Sequence, residues 1–414
     1  MEEKHFDLLS YKLHTIKTNK FKDINILISF KREIKKEDIT IREIISNMLL
    51  LSNQKYKNNK EISIKLEDLY NGIINIENIR IGNYISTNFY LNILSNKYTD
   101  DNNFENSLEF LKDIIFNYNF NDDKNIEISK KQVKNNISSL VEDARSYSII
   151  RANSIYENSK ISYQLSGYLK DLESISKDDI NNYYKTMFTK DLIDIYIVGD
   201  IKDSDYKLIK KYFKFRHLIN KKKSFYLNDD LGKKIISKKE TIPNRQSNIT
   251  LILDINKPTK YEKDIVIPIF NLIFGGWAEA KLFREIREEK SLCYTIFSSY
   301  KRLDNKIYIL SGIDKSNYDE TIKGINKCLN DMKKSKFSDE NINNAVNYYI
   351  NSLNQNKNKS TRLLDYLFNK DITDDLDMDE KEEKLKKVTR NEIVKLAKKI
   401  NIKTYFLLEG DNCE

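Results

Sequence analysis

The sequence predicts an α+β protein of two homologous domains, each a mainly antiparallel sheet with helices packed on one face. Three observations lead there. The first is an internal repeat: residues 192–200 read Leu-Ile-Asp-Ile-Tyr-Ile-Val-Gly-Asp, and residues 403–411 read Lys-Thr-Tyr-Phe-Leu-Leu-Glu-Gly-Asp. Each is a β-rich run closed by Gly-Asp, at Gly199 and Gly410, and each follows a capping-box helix start, Ser176-x-x-Asp179 or Thr389-x-x-Glu392. The second is an upstream match, Leu165-Ser-Gly-Tyr168-Leu169 against Leu363-Leu-Asp-Tyr366-Leu367. The two anchors are offset by 211 and 198 residues, a difference that an insertion in the acidic stretch 371–383 accounts for. The third is a mixture of strand and helix patterns without strict alternation, which favours α+β over α/β.

Along the first half, residues 24–30 alternate as a strand and 41–51 follow as a helix. Residues 62–70 form a second helix that stops at Asn71-Gly72, a C-cap pair. Residues 73–81 and 84–94 read as paired strands around the Gly82-Asn83 turn, and 136–156 read as one helix. Periodicity fades between Phe215 and Thr241, where Lys221-Lys222-Lys223, Lys233-Lys234 and Lys238-Lys239 cluster. The expected domains are therefore 1–214 and 241–414, with 215–240 as linker. In the second half a Gly275-Gly276 turn precedes the run 282–294, Leu-Phe-Arg-Glu-Ile-Arg-Glu-Glu-Lys-Ser-Leu-Cys-Tyr. That run places Arg287 at a helix end and Tyr294 at a strand start.

Composition narrows the function classes. With 10 Gly and 3 Pro in 414 residues, long elements meet few breakers. The net charge of +9 is spread among interleaved acidic residues, and the lysine cluster lies in the linker, so no nucleic-acid partner is expected. The longest strongly apolar run, 265–274, is broken by Pro268 and is too short to span a bilayer, so no membrane partner is expected. The start, Met-Glu-Glu-Lys-His-Phe-Asp, lacks a signal-peptide pattern, and three cysteines, Cys293, Cys328 and Cys413, without a CxxC fit a reducing cytoplasm. Cys293 has no histidine near it in sequence and reads as a small packed residue rather than a nucleophile.

The run from Asn271 to Gly312 resembles the C-terminal domain of the insulinase/pitrilysin-like peptidases, the inverzincins. Residues 11–31 and Leu66-Glu-Asp-Leu-Tyr-Asn-Gly72 are similar to that family's opening hairpin and its Leu-Glu-x-x-Gly turn. The resemblance implies that Arg287 and Tyr294 hydrogen-bond the backbone of a substrate, a task that a guanidinium fork and a phenol suit. It also puts Gly275 and Gly276 loosely where a substrate-admitting glycine loop lies in the non-catalytic subunit of mitochondrial processing peptidase, although a tight turn is the plainer reading. For Arg287 the plain alternative is pairing with Glu288 or Glu289, and for Tyr294 a half-buried strand position.

The family's zinc motif is absent. Inverzincins use His-x-x-Glu-His on one helix, and the matching positions here are Glu43, Ser46 and Asn47. The third ligand would fall near residues 135–137, Asn-Asn-Ile, where no carboxylate stands. His5, His14 and His217 show no helical-face spacing and no evident ligand partner. No zinc or other cofactor is expected in this chain. The resemblance is nearest to the zinc-less subunits of bacterial two-gene peptidases. It implies a cytoplasmic heterodimer with a zinc-bearing His-x-x-Glu-His homologue of similar length, which together act as a metalloendopeptidase on extended peptide held by strand addition. The alternative is a stand-alone peptide-binding or structural protein.

Overall fold

A computed structural model describes residues 1–215, 224–244 and 246–411. His217, the Lys221–223 cluster and Cys413 lie outside the described residues. The chain forms two compact units, the first built from residues 1–138, 164–225 and 356–374, the second from 139–163, 226–355 and the residues from 375 on.

In the first unit, numbering along the chain, the strands are β1 (Glu2–Asp7), β2 (Lys12–Lys17), β3 (Asp23–Glu33), β4 (Ile73–Ile81), β5 (Tyr84–Leu94) and β6 (Leu192–Gly199). The helices are α1 (Lys36–Leu49), α2 (Asn59–Asp68), α3 (Asn103–Phe116), α4 (Asp123–Ser138), α6 (Leu169–Ser174), α7 (Lys177–Lys190), α8 (Asp205–Tyr212) and α12 (Ser360–Thr373). The second unit holds α5 (Ala144–Ser154), β7 (Ile236–Ile242), β8 (Ser247–Ile255), α9 (Ile267–Phe274), β9 (Thr295–Lys301) and β10 (Lys306–Ile313). Then come α10 (Tyr318–Lys333), α11 (Asp339–Asn356), α13 (Met378–Leu385), α14 (Arg390–Lys399) and β11 (Ile400–Gly410).

The sheets run β1-β2-β6-β3-β5-β4 and β7-β11-β8-β10-β9. Leaving out β1, the two orders correspond strand for strand, and so do the directions: β2 is parallel to β6 as β7 is to β11, and the other pairs are antiparallel. The repeat is therefore real, with β6 and β11 as equivalent strands. Both capping boxes form, Ser176 with Asp179 on α7 and Thr389 with Glu392 on α14. The terminal glycines recur for a steric reason. A Cβ on Gly199 would stand 2.9 Å from the Ile24 Cα, and one on Gly410 would run into the Asn244 carbonyl oxygen.

The second sequence anchor does not hold. Residues 165–168 form a turn closed by Gly167 N–H to the Gln164 carbonyl, whereas residues 363–367 lie inside α12. The expected opening hairpin over 11–31 is also absent, because β6 lies between β2 and β3. That strand is buried from Ile193 to Gly199 and needs a ladder partner on each side. The single helix expected over 136–156 is broken. The Asp143 carboxylate accepts the Ser146 N–H and starts α5 as a new helix.

That break marks where the structure departs from the contiguous domains 1–214 and 241–414. In each sheet one face packs on the main helical layer, with Ile193, Ile195 and Ile197 in the first core and Ile249, Leu251 and Leu253 in the second. The opposite face also needs cover. In the first unit α12 supplies it with Leu363, Leu364, Leu367 and Phe368 buried. In the second unit α5 supplies it with Ala144, Ser148 and Ala152 buried. Polar bonds fix each helix: Ser360 Oγ donates to Asp23 (2.6 Å) and Tyr196 OH to Asp371 (2.8 Å), while Ser148 bonds Thr250 (2.7 Å) and Arg151 grips Glu240 (2.6 and 2.8 Å).

Candidate functional site

The first candidate is the face of α1 that carries Glu43, Ser46 and Asn47. Asn78 on β4 lies across it, donating from its amide nitrogen to Glu43 Oε1 (2.9 Å) and Ser46 Oγ (3.0 Å). The Asn78 carbonyl accepts from Thr87 Oγ1 (2.6 Å), which in turn accepts from Arg42 Nη1 (2.9 Å). Asn47 turns back to donate to the Glu43 backbone carbonyl (2.9 Å). The motif positions are thus joined to an amide donor, and their donor set is one carboxylate, one hydroxyl and one amide. Zinc takes imidazole or thiolate ligands in preference to these, so the set does not fit the family's metal. On α4, which packs against α1, the buried residues are Ile126, Ser129 and Val133, while Asn135 and Asn136 are exposed. Elemental analysis of the purified chain is expected to find no stoichiometric zinc; about one zinc per chain would refute the assignment.

Burial pushes the Glu43 carboxyl up to about 7, against the opposing hydrogen bond from Asn78. A free glutamate titrates near ~4.3. Between those values the folded chain binds a proton that the unfolded chain has released, so stability falls as pH rises through that window and levels off above it. Glu43→Gln removes this dependence. It is expected to leave stability unchanged near pH 4 and to raise it by about 1–3 kcal/mol at pH 8. Urea titrations at both pH values read the difference, and a gain of the same size at each would exclude this cause.

His14 has partners that its sequence position does not reveal. Its Nε2 lies 3.2 Å from Asp194 Oδ1, and its Nδ1 lies 2.8 Å from His5 Nδ1 across the β1–β2 ladder. His14, Asp194 and Asp371 form, among the described residues, a group with ligand atoms within 4.8 Å of one another. The cation there is already the protein's own. The fully buried Lys31 ammonium is 2.6 Å from Asp194 and 3.7 Å from Asp371, and it donates to Tyr196 OH (2.8 Å). Burial raises the Asp194 carboxyl, but Lys31 and His14 outweigh it and hold it below its ordinary value. The group is an ion network that anchors α12.

The second candidate is the segment that leads into β9. Leu282 and Ile286 are buried and seat the π-helical turn Phe283–Glu288, which leaves Arg287 exposed. The Arg287 guanidinium lies over the Phe283 ring at 4.6 Å. Among the described residues it has no carboxylate partner, neither Glu288 nor Glu289. The chain then turns at Ser291, with φ +54°, and Leu292 N–H bonds back to the Ile286 carbonyl (3.0 Å). Tyr294 follows, 54% exposed and one residue before β9, with its hydroxyl donating to Asp314 Oδ1 (2.9 Å). That bond raises the phenol above its ordinary value. Arg287 and Tyr294 thus flank one exposed corner without bonding each other. Cys293 beside them is partly buried and its thiol is raised by that burial, which suits packing rather than nucleophilic attack.

Gly275 and Gly276 form the turn after α9, and both N–H groups bond the Asn271 carbonyl, at 2.9 and 2.7 Å. A Cβ on Gly275 would stand 2.7 Å from Leu282 Cδ1 and 2.8 Å from Ser298 Oγ. The Gly275 carbonyl accepts from Ser298 N–H (2.7 Å) on β9. The plain reading of this pair accounts for the geometry: a tight turn pressed onto a strand. Asn78 and Asp314 were not singled out from the sequence. Asn78 had a signal, an amide inside a strand of isoleucines; Asp314 had none.

Several known proteins resemble this chain. Residues 174–349 match the family profile described as Peptidase M16 inactive domain. The chain is 23% identical to a probable inactive metalloprotease of Bacillus subtilis (strain 168), over 99% of this chain and 97% of the relative. An uncharacterized zinc protease of the same organism is 23% identical over 60% of each chain. Among solved structures, a conserved protein from Enterococcus faecalis V583 superposes with TM-score 0.90 at 25% identity, covering 100% of this chain and 99% of that one. A peptidase M16 inactive domain from Pseudomonas fluorescens gives 0.82 at 13% identity, covering 99% and 98%.

Proposed function

Starting from a chain that is a zinc-less homologue of the insulinase-type M16 peptidases, we propose that it is the non-catalytic subunit of a two-chain peptidase. Its role is to close a peptide-processing chamber with a zinc-bearing homologue and to hold substrate through Arg287 and Tyr294. The observation that carries this reading is the contrast between the two candidates. The motif face of α1 is closed by its own hydrogen bonds to Asn78, while Arg287 and Tyr294 stand exposed at one corner. A guanidinium laid on a ring without a carboxylate partner is available to a peptide carbonyl or oxyanion. The occurrence of an inactive relative and a zinc-protease relative in one organism supports a paired system. Strand addition has room at β4, which pairs only with β5 among the described strands; at β9 the Gly275 carbonyl already takes the Ser298 N–H.

The test is co-purification from native cells, with mass identification of the partner and peptide hydrolysis measured on each chain and on the mixture. The expected result is a His-x-x-Glu-His partner of similar length, no hydrolysis by this chain alone, and hydrolysis by the pair. Isolation with no such partner would favour a stand-alone peptide-binding or structural protein, and hydrolysis by this chain alone would overturn both readings.

A further inference from the structure

We infer that the corner entering β9 recognises a carboxylate on the bound peptide, and that Arg145 is the residue that selects it. The inference rests on the reading of Arg287 and Tyr294 as peptide-holding residues and adds the chemical class of peptide they take. Arg145 lies in the first turn of α5, within the second unit, and is exposed. It reaches the same corner from the other side. Its Nη2 donates to Thr295 Oγ1 (3.3 Å), and its guanidinium lies over the Phe297 ring at 5.0 Å. Thr295 is the residue after Tyr294. Arg287 stands at the turn just before this stretch, its carbonyl accepting from Ser291 N–H (3.1 Å), and its charge opposes in small part the burial that raises the thiol of Cys293, the residue before Tyr294. Two guanidiniums therefore flank one three-residue stretch, Cys293 to Thr295.

Neither guanidinium has a carboxylate partner among the described residues, and each is supported on a phenyl ring that leaves N–H edges open. The carboxylates at the corner are already engaged. Asp314 accepts the Tyr294 hydroxyl, and Asp143 caps α5 through Ser146, whose hydrogen bonds, with a smaller effect of the Arg145 charge, hold its carboxyl below the ordinary value. What remains without a direct ion pair is two planar forks, the geometry that binds a carboxylate in bidentate fashion. The ladder side of β9 is taken by β10 and its outer side is met by the Gly275 turn at Ser298, so the ligand is held here by its charge rather than by an added strand.

The carboxylate can come from an Asp or Glu side chain or from a peptide C-terminus. Three fluorescent decapeptides separate the sources: one neutral and amidated, one neutral with a free C-terminus, and one amidated with a central Glu pair. Binding to the full chain is read by anisotropy at low and physiological salt. At least one carboxylate-bearing peptide is expected to bind about tenfold tighter than the neutral amidated one, with the preference shrinking as salt rises. Arg145→Gln should bring that ratio close to one, and Arg145→Lys should restore part of it. Thermal melting should match the wild type, since Arg145 is exposed. Equal binding of all three peptides would overturn the carboxylate assignment while leaving the peptide-holding reading intact. A preference that survives Arg145→Gln would remove Arg145 from the site. Binding of none of the three would overturn the inference together with the peptide-holding reading on which it rests.

Discussion

Replacing Asp191 by alanine is expected to destabilise the first unit by about 3–5 kcal/mol, the cost of leaving a buried charge without its partner. Asp191 is fully buried and takes Arg42 Nη2 on Oδ2 (2.5 Å) and Arg32 Nε on Oδ1 (2.6 Å). Arg42 is fully buried too, and donates to Tyr183 OH (2.9 Å), the Phe30 carbonyl (3.3 Å) and Thr87 Oγ1 (2.9 Å). Without Asp191 the Arg42 cation keeps those neutral acceptors and the charge of nearby Asp38, but no carboxylate hydrogen-bonded to it. Arg42→Met should cost less, because Arg32 still neutralises Asp191. The double variant Arg42→Met/Asp191→Leu should then lose less than the sum of the two changes, since it leaves no stranded fully buried charge. Urea unfolding of the three variants reads the cycle. A loss below about 1 kcal/mol for Asp191→Ala, the size seen for exposed pairs, would show that water reaches the pair.

Arg287→Ala and Tyr294→Phe are expected to lower peptide hydrolysis by the mixed complex by about 10²–10³, the effect of removing one oxyanion-type donor. Both side chains are exposed at the surface of this chain, so thermal stability and partner binding should change little. The Tyr294 hydroxyl now donates to Asp314, and it has one proton to give. It can donate to a substrate carbonyl only after leaving Asp314, so Tyr294 should act late and its loss should fall mainly on turnover. Arg287 gives up no carboxylate to engage substrate, and its loss should raise apparent KM as well. If the two residues served packing alone, the pattern would be inverted, with lower melting temperatures and full turnover per folded complex. Measuring both on the same reconstituted samples separates the cases.

How much of this was legible from the chain depended on distance along it. The β4–β5 hairpin falls on residues 73–81 and 84–94 as expected, because alternation and the Gly82-Asn83 turn are local properties. The helix starts at Ser176 and Thr389 are equally local, each set by two side chains three residues apart. The absence of a zinc helix was also readable, since that motif needs its residue types within one helical turn or so. The Arg287–Tyr294 segment was read correctly as a helix end and a strand start.

What the chain alone determined, then, is the repeated strand–helix grammar, the missing metal ligands and the helix end and strand start that carry Arg287 and Tyr294. Only the tertiary structure decided which strand separates β2 from β3, which helix covers the second face of each sheet, and which side chains meet across the fold. His14 meets Asp194 and Asp371 because β2, β6 and α12 come together. Asn78 meets Glu43 because β4 packs beside α1. The physical reason is the same in each case. Periodicity says which face of an element is apolar, but an apolar face accepts any complementary surface, and segments such as α5 and α12 are placed by what each sheet has left to bury.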